Sequence, residues 1–273
     1  MTDSLKLYRM IVAKESRRFF TYRGNIFAGC LTGLLMLAAR YALWSALFAT
    51  GNAQDATLTE TMTFFTETMT FFVVNDLLAI WLVTWYGDTI GTDIRSGDIA
   101  QRLIRPFPYQ LQLVANAHAN AITSTITRGV PMLAAAIIFI GLMPPVSGSA
   151  LAFFIVAAIL GGIIYALVDL IVSYTAFWLT EYWYLSWFKI SLFMLFGGTM
   201  LPLWFYPDWL LAVCTVLPFQ YSIFMPISIY LGRVPVSDAF FVIGMQLFWI
   251  AVLFICERAL WRLGQRKLVV QGG

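Results

Sequence analysis

Six long runs of apolar residues constrain the fold of this chain more than any other feature of its sequence. They have 18 to 30 residues, and an α-helix needs roughly 20 to cross a hydrocarbon core of about 30 Å. The runs are Asn25–Ala49, Phe71–Ile90, Ala119–Met143, Ala150–Leu179, Ser186–Leu203 and Ala239–Leu260. Charged residues make up only 11% of the 273 residues, against about 25% in soluble domains. We therefore predict an all-α polytopic membrane protein, with residues 1–273 forming a single transmembrane domain of six helices.

Two further segments are predicted to lie at the membrane surface or to enter it only partly. Residues 1–23 place basic and apolar side chains on different faces of a helix, which is typical of an interfacial helix on anionic lipid. Residues 202–237 are apolar but contain five prolines. Broken apolar helices are tolerated at membrane depth where protein or a cavity covers them. We therefore predict an outer re-entrant hairpin over residues 202–237, between the fifth and sixth spans.

The longest polar stretch between the chain ends is Asp93–Gln110, which lies between two predicted spans. We predict one short helix over Asp93–Arg105, because Pro106 and Pro108 stop it, with Gly97 and Pro106 bounding its ends. This helix lies on the cytoplasmic membrane surface. Its charged residues are Asp93, Arg95, Asp98, Arg102 and Arg105.

The distribution of basic residues predicts the orientation of the chain. With six spans, 14 of the 17 lysines and arginines fall in the segments on one side, and Arg128 lies toward that side as well. Only Arg40 and Arg233 fall toward the other side. Since cytoplasmic loops carry the excess of basic residues, we predict that both termini are cytoplasmic.

Charged residues within the predicted spans are candidate functional positions, because such residues are costly in the membrane. Arg40 and Asp76 belong to the outer halves of the first and second spans, so they can pair with each other. This pair is either a structural ion pair or a substrate contact, and Arg40 alternatively extends toward the outer surface. Asp169 lies in the inner half of the fourth span.

The usual sequence patterns of catalysis and of nucleotide binding are missing from the sequence. It contains no GxxxxGK[ST], GxSxG or HExxH pattern and a single histidine, His118. Its acidic residues, histidine and three cysteines do not cluster at metal-ligand spacing. We expect no enzyme activity, cofactor or metal in this chain. What remains is a membrane body with an inner polar helix and an outer broken hairpin. An ATP-independent carrier or channel and a non-transporting intramembrane enzyme or scaffold stay open as functions.

Several motifs together carry a resemblance to a known family. They are DIRSGDIAQRLIRP (Asp93–Pro106), AFWLTEYW (Ala176–Trp183), MLPLWFYPDWL (Met200–Leu210), LPFQY (Leu217–Tyr221) and LWRLGQRKLVVQGG (Leu260–Gly273). In these motifs the chain resembles the ABC-2 type permeases, the membrane subunits of a class of ABC exporters. It is most similar to the six-helix subfamily that accompanies drug-resistance-type ATP-binding proteins. The duplicated TETMTFF heptad of residues 59–72 departs from that pattern, and we interpret it as an extension of the second span's outer end.

The resemblance implies a dimer of permeases, identical or paired with a sister chain, and two copies of an ABC ATP-binding subunit. ATP and Mg would be bound by those partner subunits. Residues 93–106 would act as the coupling helix on which they dock, and the substrate path would lie between the permeases, lined by the second and fifth spans. The expected location is a bacterial inner membrane, and no nucleic-acid partner is expected. Aromatic and aliphatic span faces favour export of a hydrophobic or amphipathic compound, such as a lipid-like molecule or a drug. The alternative is that these side chains only pack together or face lipid.

Overall fold

The computed structural model describes residues 2–50, 58–83, 86–104, 108–179 and 183–271, and every regular element in these ranges is helical. The α-helices are, in chain order, α1 (Thr2–Thr21), α2 (Arg23–Thr50), α3 (Leu58–Leu82), α4 (Tyr86–Ser96), α5 (Asp98–Leu103), α6 (Tyr109–Ser124), α7 (Val130–Phe139), α8 (Gly148–Tyr174), α9 (Trp183–Phe196), α10 (Asp208–Val216), α11 (Phe224–Tyr230) and α12 (Val236–Gln271). The prediction of an all-helical membrane protein is confirmed.

Five of the described helical segments are long and apolar enough to cross a membrane. They are Arg23–Ala49, Glu60–Leu82, Tyr109–Phe139, Gly148–Phe177 and Val236–Arg266. The helix predicted to run from Ser186 to Leu203 instead ends at Phe196, and α9 has 14 residues. At 1.5 Å per residue this helix is about 21 Å long, which is short for a bilayer core. The backbone turns after it, at Gly198, whose φ is 71°.

The second span begins earlier than predicted, because α3 starts at Leu58 and already includes the duplicated heptads. The threonines of the heptads fit a helix in an apolar setting, since their hydroxyls donate to backbone carbonyls one turn earlier. Thr66 Oγ1 donates to the carbonyl of Met62 (2.9 Å) and Thr70 Oγ1 to that of Thr66 (2.7 Å). The heptads therefore extend the start of the second span, as interpreted from the sequence, and residues 51–57 lie outside the described part of the chain.

The polar stretch differs from its prediction as a single helix. α3 ends at Leu82, not at Ile90, and α4 and α5 meet at Gly97. Gly97 has a φ of 78°, a left-handed conformation that glycine adopts without steric cost. The two short helices therefore form a bend, and we call α4, Gly97 and α5, with Ile104 at the end, the elbow (residues 86–104).

The third span contains a π-helical segment, Thr125–Gly129, between α6 and α7. Pro131 follows it by two residues. A proline has no backbone N–H, so the carbonyl four residues before it, that of Thr127, lacks its usual helical donor. The missing hydrogen bond before Pro131 thus coincides with a π-helical segment, and both prolines and π-helical turns are recognised causes of helix kinks.

Residues 202–237 form the short helices α10 and α11, joined by 3-10 turns. α11 lies in the core, with Ile227 and Ile229 fully buried. A Cβ on Gly161 of α8 would lie 2.2 Å from the backbone oxygen of Ser222. Only glycine therefore allows α8 to approach this segment so closely. Whether the segment lies on the outer side of the membrane stays a prediction.

Two long helix contacts frame the structure. α1 packs along α6, where the rings of Tyr8 and His118 lie 6.1 Å apart. α12 packs along α8, and Gln246 Nε2 donates to the carbonyls of Ala157 (2.8 Å) and Tyr221 (2.7 Å). Gln246 thus joins α12, α8 and the broken segment in one buried contact.

Candidate functional site

A buried carboxylate holds the elbow in shape. Asp93 of α4 accepts a hydrogen bond from Tyr109 Oη on its Oδ2 (2.7 Å) and pairs through Oδ1 with Arg102 Nη2 (3.0 Å). Only 4% of the Asp93 side chain is exposed, against 26% of the Arg102 side chain. A buried charge that loses its partner is costly, so these contacts fix the angle between α4 and α5 and tie both helices to α6.

The apolar side of the elbow rests on a cluster of aromatic rings. Ile90 and Ile99 are buried there. The rings of Tyr109 and Trp261 stack at 6.4 Å, and those of Tyr174 and Trp261 lie 5.0 Å apart. Because protein interiors are close-packed, a displacement of the elbow is transmitted through this cluster to α6, α8 and α12.

The other side of the elbow faces away from the protein. Asp98 is exposed, and Ile104 at the end of α5 is exposed over 85% of its surface. Of the residues predicted to contact a partner, Asp93 is thus buried, Arg102 is half-buried and paired with Asp93, and Asp98 is free to meet a partner. The side chain of Arg95 and all of Arg105 lie outside the described part of the structure. Ile104 was not predicted, although an isoleucine in a polar stretch was a visible signal.

A second buried charge pair lies close to the elbow. Asp169 of α8 and Lys189 of α9 form an ion pair whose side chains are only 2% and 1% exposed. The backbone N–H of Tyr86, at the start of α4, donates to the other carboxylate oxygen of Asp169 (3.0 Å). Asp169 therefore links α8, α9 and the elbow. In the sequence Lys189 was counted only among the basic residues of the cytoplasmic side, and its burial against Asp169 was not predicted.

The pair predicted between the first two spans is present in the structure. Arg40 Nη2 lies 2.8 Å from Asp76 Oδ1, and the Arg40 guanidinium lies 4.6 Å from the centre of the Phe72 ring. Asn75 Nδ2 donates weakly to the same Asp76 oxygen (3.4 Å). Asp76 is not only a structural partner, because it also lines a cleft.

That cleft has a volume of about 420 Å³ and lies between α2, α3, α4 and the third span. We call it the polar cleft, and the polar side chains on its wall are Asp76, Thr89, Asn116, Asn120, Ser124 and Arg128. Asn116, Asn120, Ser124 and Arg128 follow one another at intervals of four residues. Such spacing places side chains on one face of a helix. This stripe was not among the predicted sites, although its regular four-residue spacing is visible in the sequence.

A second cleft of about 530 Å³ lies between α3, α6 and α8. We call it the apolar cleft, and its wall includes Leu78, Trp81, Phe154, Ile155, Ile159 and Ile163, with His118 as a polar exception. Tyr86 and Ala117 belong to the walls of both clefts. The two spaces therefore adjoin at these residues.

A metal site is not found in the part of the chain that the structure describes, since no three His, Cys, Asp or Glu side chains there are grouped to hold an ion. The candidate site thus consists of the elbow, the buried pairs beside it and the two clefts.

Comparison with known proteins gives one match. A family model described as ABC-2 family transporter protein matches residues 34–272, which is nearly the whole chain. Neither the curated proteins nor the solved structures contain a significant match.

Proposed function

The chain belongs to the ABC-2 family of transporter proteins, and on that basis we propose that it is the permease subunit of an ATP-driven exporter. It is a multi-pass membrane protein and the membrane subunit of a transporter. In our proposal two ABC ATP-binding subunits bind ATP and Mg and supply the energy. A second permease chain, identical or a sister, completes the complex. The cargo is a hydrophobic or amphipathic compound, such as a lipid-like molecule or a drug.

The observation that carries this proposal is the construction of the elbow. Its exposed side offers an apolar side chain, Ile104, and a carboxylate, Asp98, to a partner. Its buried side is fastened by Asp93 and rests on the cluster around Trp261. A rigid element of this kind passes a push from a docked motor into the membrane helices. The proposal places Asp93 and Arg102 within the elbow as positioning residues and Asp98 and Ile104 at the interface.

The proposed cargo and orientation have separate support. The two clefts, of about 420 and 530 Å³, fall within the roughly 300–1,000 Å³ of small-molecule sites. One is polar and the other apolar, which suits an amphipathic molecule. The excess of basic residues on one side supports cytoplasmic termini in a bacterial inner membrane, with the elbow on the cytoplasmic side.

Recovery of a partner tests the proposal directly. The tagged full-length chain is purified from its native membrane in a mild nonionic detergent, and we expect an ATP-binding subunit to be recovered with it. ATP hydrolysis and cargo movement are then measured in the reconstituted complex. Transport by the permease alone, with no nucleotide-hydrolysing subunit present, would refute the proposal.

The variant Ile104→Asp tests the elbow as the docking surface. Burying an isoleucine side chain contributes roughly 1.5–3 kcal/mol, so we expect recovery of the ATP-binding subunit to fall by about tenfold or more. Ile104→Leu should retain recovery, and Val146→Asp, an exposed aliphatic position in another turn, serves as the matched control. Unchanged recovery with Ile104→Asp would place the interface elsewhere.

A further inference from the structure

We propose that the polar and apolar clefts together bind an amphiphile with an anionic head group, and that Arg128 binds the head group. The head group is a carboxylate, sulfate or phosphate, and the tail is an aliphatic chain. This inference rests on the proposed function only in taking the bound amphiphile to be cargo. The binding itself can be tested without transport.

The charges around the polar cleft favour an anion. Asp76 on its wall is already paired with Arg40 at 2.8 Å, so these two charges balance each other. Arg128 stands on the same wall and forms no ion pair with a carboxylate in the described ranges. Arg128 also interacts electrostatically with Asp76, so the two arginines and the single carboxylate together leave one net positive charge at the cleft. In the low dielectric of a membrane protein interior such a charge attracts an anion strongly.

Arg128 is held in place by the backbone that carries it. It belongs to the π-helical segment Thr125–Gly129, and π-helical turns occur frequently at functional sites. α2 packs directly on this segment, since a Cβ on Gly33 would lie 2.7 Å from the backbone oxygen of Arg128. The π-helical segment is thus fixed against α2, and its arginine is positioned before a ligand arrives.

The stripe beside Arg128 supplies hydrogen-bonding groups for a head group. Asn116, Asn120 and Ser124 precede it at intervals of four residues and line the same cleft. Uncompensated amide side chains are costly inside a membrane, so a row of them on a cleft wall indicates contact with water or a polar ligand. Amides and hydroxyls both donate hydrogen bonds to anionic oxygens.

The adjoining apolar cleft suits an aliphatic tail. Its wall consists mainly of α3 and α8 side chains, among them Trp81, Phe154 and Ile159. Since Tyr86 and Ala117 line both clefts, a molecule with its head at Arg128 extends its chain past them into the apolar cleft. An uncharged hydrophobic molecule would leave the polar stripe unpaired, and a free anion would leave the apolar cleft empty.

The probe for the test is 11-(dansylamino)undecanoate, a fluorescent fatty acid analogue. It is titrated against the full-length chain in phosphatidylcholine nanodiscs, and binding is followed by energy transfer from tryptophan, including Trp81 on the cleft wall. We expect saturable binding that Arg128→Gln weakens by about tenfold, since hydrogen bonds to charged groups are the stronger ones. Arg128→Lys should retain most of the affinity. Ala158→Phe, which narrows the apolar cleft, should weaken binding independently.

The controls separate this inference from its alternatives. Arg262→Gln, an exposed arginine of α12, should leave affinity unchanged, and the methyl ester of the probe should bind at least tenfold more weakly. Displacement of the probe by inorganic phosphate as effective as displacement by unlabelled undecanoate would show that the apolar cleft adds nothing to binding, and would overturn the inference. Equal affinity of acid and ester, or of native protein and a folded Arg128→Gln variant, would overturn it as well. Because no ATP-binding subunit takes part, a negative result here leaves the proposed function standing.

Discussion

Removing one member of the buried pair Asp169–Lys189 should destabilise the protein far more than removing both. The two side chains are 2% and 1% exposed, so neither charge can turn to solvent when its partner is lost. Breaking such a pair costs about 3–5 kcal/mol, whereas replacing both charges by uncharged side chains of similar size is often neutral. We expect this cost for Asp169→Asn and for Lys189→Met, and a change within about 1 kcal/mol for the double variant.

The choice of asparagine follows from the second hydrogen-bond donor to the carboxylate. The backbone N–H of Tyr86 donates to Asp169 Oδ2, and leaving that buried donor unpaired would cost about 1–3 kcal/mol. The amide oxygen introduced by Asp169→Asn remains an acceptor for it. The double variant therefore removes both charges while the Tyr86 N–H at the start of α4 keeps an acceptor. The difference in stability between the single and double variants then measures the interaction between the two charges.

Thermal unfolding in detergent provides the assay. Cys214 is fully buried, so a thiol-reactive dye labels it only on unfolding, in a background with Cys30→Ser and Cys256→Ser. At about 2–4 °C per kcal/mol, each single variant should lower the midpoint by roughly 6–20 °C. All scans use one heating rate, because unfolding of such proteins is often irreversible.

A surface pair gives the control for this experiment. Glu15 and Arg18 lie 3.7 Å apart with side chains 33% and 77% exposed, and exposed pairs contribute at most about 1 kcal/mol. Glu15→Gln should therefore leave the midpoint nearly unchanged. The reasoning would be refuted if the double variant of Asp169 and Lys189 were as unstable as the single variants. The loss of one charge would then not account for the instability caused by the loss of its partner.

Two further predictions concern packing and orientation. Gly161→Ala should lower the thermal midpoint, because its Cβ would lie 2.2 Å from the backbone oxygen of Ser222 and overpacking costs about 1–3 kcal/mol. The neighbouring Gly162→Ala meets only the end of a leucine side chain, so its effect should be smaller. Equal effects of the two variants would contradict the packing argument. In a cysteine-free background, Asp98→Cys on the elbow should react with an impermeant maleimide only in inside-out vesicles and Ser149→Cys only in right-side-out vesicles, whereas the reverse pattern would invert the proposed topology.

Some features of this protein follow from the sequence alone. Long apolar runs require a bilayer, because no soluble core could bury them, and within a bilayer the backbone must satisfy its hydrogen bonds in helices. The clustered prolines of residues 202–237 exclude a continuous helix there. The partner of an intramembrane charge could also be predicted where only one opposite charge lay at a similar depth, as for Arg40 and Asp76.

Other features depend on contacts between residues far apart in the chain. The sequence places Asp93 among exposed charged residues, yet the structure turns it inward onto Tyr109 and Arg102. Lys189 was counted only among the basic residues of the cytoplasmic side, yet it lies in the core against Asp169. In both cases the sequence shows that the residue is charged, but it does not show which partner the residue meets or that the pair is buried.

The sequence by itself thus determined that this protein folds in a lipid bilayer and that its secondary structure is helical, because hydropathy and proline placement act locally along the chain. Only the tertiary structure decided which polar side chains meet, where the elbow bends and how the row from Asn116 to Arg128 comes to face a cleft. The physical reason is that a buried polar group is stable only beside a partner. That partner is brought near by the packing of helices far apart in sequence, 83 residues for Tyr86 and Asp169 and 89 for Gln246 and Ala157.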